Sequence, residues 1–138
     1  MSHAHGIALS AAVGLVGLGI FLAMQTSGPP ASGKAMTVVT VPELPRQAER
    51  GRAAFDESCA SCHGQNAAGR EGVGPPLVHR IYEPSHHADA AFLVAALNGA
   101  RQHHWEFGNM EPVDGVSEAE VRDIIDYVRS LQRANGIE

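Results

Sequence analysis

Cys59-Ala60-Ser61-Cys62-His63 is the most specific stretch of the 138-residue chain. Two thiols separated by two residues sit on one helical turn at the separation of the two vinyl groups of haem. Addition across those vinyls gives two thioether bonds, and the histidine that follows is placed to ligate the iron from the proximal side. A thioredoxin-like redox pair should instead follow a buried strand in a βαβ pattern, and no such strand precedes Cys59. A zinc site requires a second ligand pair, and no further cysteine exists. Histidines elsewhere could supply that pair, but they leave the placement of His63 unexplained. The pentapeptide therefore predicts one covalently bound haem c, attached at Cys59 and Cys62 and ligated by His63.

Downstream, Gly74-Pro75-Pro76-Leu77 is a turn punctuated by prolines, and residues 89–98 read as a further short helix, apolar at Phe92, Leu93, Ala96 and Leu97 and ending at Gly99. Ser117 with Glu120 three residues later is a capping box. Val121, Ile124, Ile125, Val128 and Leu131 then recur at helical spacing, and Gly136 lies just past the end. From the pentapeptide outward, residues 45–136 resemble the class I c-type cytochromes. The resemblance implies an all-α fold, a few helices around one haem, with electron transfer rather than catalysis as its work. It makes Pro45 to Ser58 the first helix, carrying Gly51 and Phe55 on one face, and has Tyr127 of the last helix pack toward Gly51. It further implies that the Pro75 carbonyl accepts a hydrogen bond from His63, and that Leu77 packs on the haem edge.

The sixth iron position separates electron carriers, where it is filled, from enzymes and gas sensors, where it is open or exchangeable. Downstream of the motif the possible ligands are Met110, His79, His86, His87, His103 and His104. The resemblance selects Met110, in a loop before the last helix, although Glu111 separates it from Pro112 where the family usually has proline next to the methionine. His103 or His104 is the second choice. A thioether ligand stabilises ferrous iron and raises the potential relative to two imidazoles. Trp105 is expected against the haem or its propionates. The pairs His86-His87 and His103-His104 are read as solvated or hydrogen-bonded histidines near the haem rim, because adjacent residues point different ways on a helix and neither pair chelates alone.

Residues 6–24, GIALSAAVGLVGLGIFLAM, are uncharged and almost wholly apolar. As a helix they would span about 28 Å, near the hydrocarbon thickness of a bilayer. Residues 1–24 are thus expected to be an uncleaved transmembrane anchor, because no lysine or arginine precedes the apolar run as in a signal peptide. Residues 25–44, rich in Gly, Pro and Ser at their start, are expected to be a flexible linker, and 45–138 the cytochrome domain. Small residues at Gly6, Ser10 and Gly14 would let two membrane helices approach closely. Haem is attached outside the cytoplasmic membrane in bacteria, so the domain is expected to face the periplasm from the inner membrane.

All charged residues lie from Lys34 onward, Lys34 is the only lysine, and the net charge is −5. Such a surface excludes nucleic-acid binding by counterion release and lacks the lysine ring through which soluble relatives dock. By resemblance to other tethered cytochromes, the expected partners are a quinol-oxidising bc-type complex as donor and a terminal oxidase or reaction centre as acceptor, with no small-molecule substrate. A permanent place as a subunit of a larger membrane oxidoreductase is the main alternative.

Overall fold

The computed structural model describes residues 33–138. Four α-helices, α1 (Arg46–Ser58), α2 (Ala60–His63), α3 (Asp89–Asn98) and α4 (Glu118–Ala134), are joined by loops holding two short 3₁₀ turns, Gln65–Ala67 and Arg80–Tyr82. The described residues contain no β-strand, only isolated bridges. The all-helical expectation holds. The transmembrane helix expected at 6–24 lies outside the described residues. Among those described, no helix is long and apolar enough to cross a membrane.

The capping box starts α4: the Ser117 hydroxyl accepts from the Glu120 amide at 3.2 Å, and the Glu120 carboxylate accepts from the Ser117 amide at 2.9 Å. The helix buries Val121, Ile124, Ile125, Tyr127, Val128 and Leu131, the stripe that helical spacing predicts. It crosses α1 at Gly51, where a Cβ would collide with the backbone carbonyl of Asp123. Only glycine lets the two backbones come this close. One turn further on, Phe55 meets Tyr127 edge-on with ring centroids 5.6 Å apart, both side chains fully buried. Burial of Phe55 alone contributes about 2–3 kcal/mol. Tyr127 thus packs on Phe55, while Gly51 receives the α4 backbone itself.

Two polar residues on the buried face of α4 serve a second purpose. Arg129, 6% exposed, donates to the carbonyls of Tyr82 (2.7 Å) and His87, to Asp89 (2.8 Å) and to Gln132 (2.6 Å), and lies over the Phe92 ring. Gln132 donates to the carbonyls of Leu77 (2.8 Å) and Tyr82 (3.0 Å). Together they fasten the irregular 77–89 segment to the helix and satisfy backbone oxygens that would otherwise be buried unpaired.

The structure departs from the expected flexible linker over its second half. The amides of Met36 and Thr37 donate to the Ala68 carbonyl (3.1 and 3.0 Å), and Glu71 donates to the Lys34 carbonyl (2.9 Å). Asn135 brackets Thr40 with two hydrogen bonds, 2.9 and 2.8 Å. Val39 and Leu44 pack on the core. Residues 33–44 are therefore laid along the domain. Composition suggested a tether because the two prolines forbid a strand, yet extended chain can still be pinned by single hydrogen bonds to loops.

Candidate haem site

α1, α2, α3, α4 and the 73–77 and 99–113 segments enclose a cavity of about 970 Å³. Cys59, Cys62, His63, Pro75, Leu77, Trp105 and Met110 all line it, although they are spread over more than fifty residues of sequence. Phe55, Phe92, Ala95, Val121 and Ile124 supply much of the apolar wall. α3, short and alanine-rich, contributes one side of the cavity, and small side chains there keep it wide.

On the cysteine side, the break between α1 and α2 falls at Cys59, so that Cys59, Cys62 and His63 follow one another round a single turn. The His63 Nδ1–H donates to the Pro75 carbonyl at 2.9 Å, which fixes the tautomer and leaves Nε2 as the bare donor. Burial pushes the His63 pKa down, opposed by that hydrogen bond, so the ring is neutral and competent as a ligand. Burial also pushes the Cys59 thiol up to about 11, the opposite of the activation a catalytic redox cysteine needs. Gly74 passes so close that a Cβ would lie 2.6 Å from the Cys62 carbonyl. The loop after the motif is tied to α4 through Tyr127, whose hydroxyl donates to Asn66 at 3.2 Å.

Met110 is held by a two-way bridge with Ala100, both hydrogen bonds 2.9 Å, and the Val113 amide donates to Ala96 near the end of α3 (2.8 Å). The methionine loop therefore hangs from α3. Between the two bridge residues the chain closes on itself: Gln102 donates to the Asn109 side chain (3.1 Å) and accepts from Gly108 (2.6 Å). Trp105 sits in this loop edge-on to His79, centroids 5.2 Å apart. Its indole N–H lies near the Tyr82 hydroxyl, lessening the upward push that burial gives that phenol, but makes no hydrogen bond of ordinary geometry and is buried without a partner. Of the other possible iron ligands, His87, His103 and His104 line the cavity and His79 and His86 do not.

The family model that describes cytochrome c matches residues 48–132. The chain belongs to the cytochrome c family. That membership implies covalent haem c, and the residues present fit it. An apolar cavity carries two adjacent thiols and a neutral imidazole with Nε2 free. It also holds an unpartnered indole N–H suited to an acidic group. Part of the Cbb3-type cytochrome c oxidase subunit CcoP is similar to this chain in two bacteria. The Azospirillum brasilense protein is 41% identical over 59 residues, 39% of this chain and 19% of that protein. The Rhodobacter capsulatus protein is 33% identical over 89 residues, 62% of this chain and 29% of that protein. The chain thus spans less than a third of either relative's length. Among solved structures, cytochrome cL of Methylophaga aminisulfidivorans aligns over 64% of this chain and 55% of its own at 26% identity, with a TM-score of 0.48.

Two groups near the cytochrome site escape a reading of the sequence. Arg129 and Gln132 sit inside the helical stripe and look there like interruptions of it; their i, i+3 spacing on the buried face was the available signal. The histidine pairs 86–87 and 103–104, which separately have no chelating geometry, are brought together by the loops.

Proposed function

We propose that this cytochrome is a single-electron carrier with one haem c, which Cys59 and Cys62 would attach and whose iron His63 and Met110 would hold. The observation that supports it most is the convergence of all four residues on one apolar cavity, with His63 already oriented by Pro75. Haem bound there supplies iron that cycles between ferric and ferrous forms. The chain does the rest: the thiols anchor, Pro75 raises the basicity of His63, and the apolar wall excludes water and lowers the local dielectric. Trp105 would offer its N–H to an acidic group of the haem, and Leu77 would pack against the macrocycle.

Val73 and Val94 line the cavity and are also exposed, so an apolar rim with few positive charges is the surface presented to redox partners. An anchor at residues 1–24 holds the protein in the bacterial inner membrane with this domain in the periplasm, exchanging electrons with a bc-type complex, a terminal oxidase or a reaction centre. The similarity to CcoP favours a second reading, a fixed subunit of a larger membrane oxidoreductase. Mild detergent extraction followed by size analysis separates the two: a free carrier elutes alone, a subunit with its complex.

An optical spectrum tests the ligand set. The ferric protein should show the long-wavelength charge-transfer band of methionine ligation and resist carbon monoxide when reduced. Met110→Ala should keep its haem, lose that band, bind carbon monoxide and titrate at a lower potential. A wild-type spectrum without the band, with ready carbon monoxide binding, overturns the assignment of Met110.

A further inference from the structure

His86 and His87 end the loop that Arg129 fastens to α4, both their amides donating to the Glu83 carbonyl at 3.0 and 2.8 Å. His103 and His104 occupy the closed loop between Ala100 and Met110. The two pairs face each other. His86 Nε2 lies 3.3 Å from His104 Nε2, and His87 Nε2 lies 3.4 Å from His103 Nε2. The nearest donor atoms of His86, His87 and His104 all fall within 4.8 Å of one another.

The tautomers are set by the backbone. His87 Nδ1 is 2.6 Å from the Ile81 carbonyl, and His103 Nδ1 is 2.7 Å from the Arg101 carbonyl. A carbonyl only accepts, so both Nδ1 atoms carry the hydrogen. In the neutral rings both Nε2 atoms then present lone pairs to each other, an arrangement that repels unless something positive lies between them. A hydrogen bond from the far ring nitrogen to a carbonyl is also the usual support of a metal-bound histidine. Donors at about 2.0–2.1 Å from a tetrahedral ion are about 3.3–3.4 Å apart, the spacing of both facing pairs. Burial and the neighbouring imidazoles push His87 and His104 toward the neutral, ligating form.

We propose that His86, His87 and His104, with His103 beside His87 as a further imidazole, form a binding site for one divalent transition-metal ion of borderline softness, Zn(II) or Cu(II), clipping the 81–87 loop to the loop that carries Met110. Imidazoles without thiolate or carboxylate suit these ions rather than magnesium or calcium. Its ligands are none of the haem-attachment residues, although His87, His103 and His104 also line the haem cavity.

The test uses the full-length, haem-loaded, untagged protein with His3→Ala and His5→Ala, which remove the amino-terminal histidines as competing ligands. After equilibrium dialysis against Zn(II) alone, and separately Cu(II) alone, the bound metal is counted per haem iron. One extra equivalent is expected, with a higher melting temperature in Zn(II). His86→Ala/His104→Ala should weaken binding about 100-fold or more and abolish the thermal shift. The single His104→Gln, which keeps volume and polarity, should weaken binding without changing the visible spectrum. Absence of the extra equivalent, or equal binding by the variants, overturns the site. So does a change of haem ligation in His104→Gln, which would make that histidine an iron ligand. Haem content is read from the pigment of the same samples, so failure of the metal site and failure of the haem assignment give different results.

Discussion

The two sides of the domain are built by different means. On the α1–α4 side, apolar stripes, one glycine and one aromatic pair close a helix crossing whose core is apolar, with the Arg50–Asp123 ion pair at its exposed edge. On the 77–113 side, irregular chain is held by hydrogen bonds donated by Arg129 and Gln132 and accepted by the side chains of Gln102 and Asn109, and most of its histidines are exposed. The crossing provides stability, since burial is cooperative and tolerant of loop changes. The loop side provides position, setting Met110, Trp105 and the imidazoles of His87, His103 and His104 round one cavity. Each hydrogen bond there contributes only about 1 kcal/mol net, but leaving its buried partner unpaired costs more.

The comparison can be broken from either side. The largest effect belongs where both sides meet the haem: Cys59→Ala with Cys62→Ala should reduce covalent pigment to background, measured on denatured protein. Next, Gly51→Leu should force the backbones of α1 and α4 apart and cost about 3 kcal/mol or more, read as a fall in the denaturant midpoint. Arg129→Met should cost less, about 2–3 kcal/mol, since it strands the His87 carbonyl and takes one of two donors from the Tyr82 carbonyl but leaves the crossing intact. Its signature is local: faster hydrogen exchange over residues 81–89 with α1 still protected. Equal exchange in both regions would erase the distinction drawn between them.

Tyr127→Phe is the smallest change, about 1 kcal/mol from the lost bond to Asn66. It also carries a pH signature. Burial, first, pushes the Tyr127 phenol up to about 12, from an ordinary value near 10. The folded-state value is raised, so the stability it contributes is complete below pH 10 and is lost as pH climbs toward 12. Unfolding free energy measured across that window should fall in the wild type and fall less in Tyr127→Phe.

How much of this was legible in the sequence follows the same division. The α4 stripe and its Ser117–Glu120 cap are local patterns, and the helix begins at Glu118 as they require. The close passage at Gly51 came through the family resemblance, and the structure moved Tyr127 onto Phe55. The loop side is non-local. His86 and His104 are eighteen residues apart, and nothing in either pair signals that the Ala100–Met110 bridge returns one to the other. Arg129 reads as a surface residue until the carbonyls it serves are known. Residues 33–44 look like linker because their partners, Ala68 and Asn135, lie elsewhere in the chain.

The central claim is that two thioether bonds join a single porphyrin to this polypeptide. Intact mass measurement of the protein after denaturation and acid–acetone extraction tests it most directly. The polypeptide should carry the added mass of one haem and stay coloured, whereas a bare chain mass with all pigment in the solvent would contradict the assignment of Cys59 and Cys62.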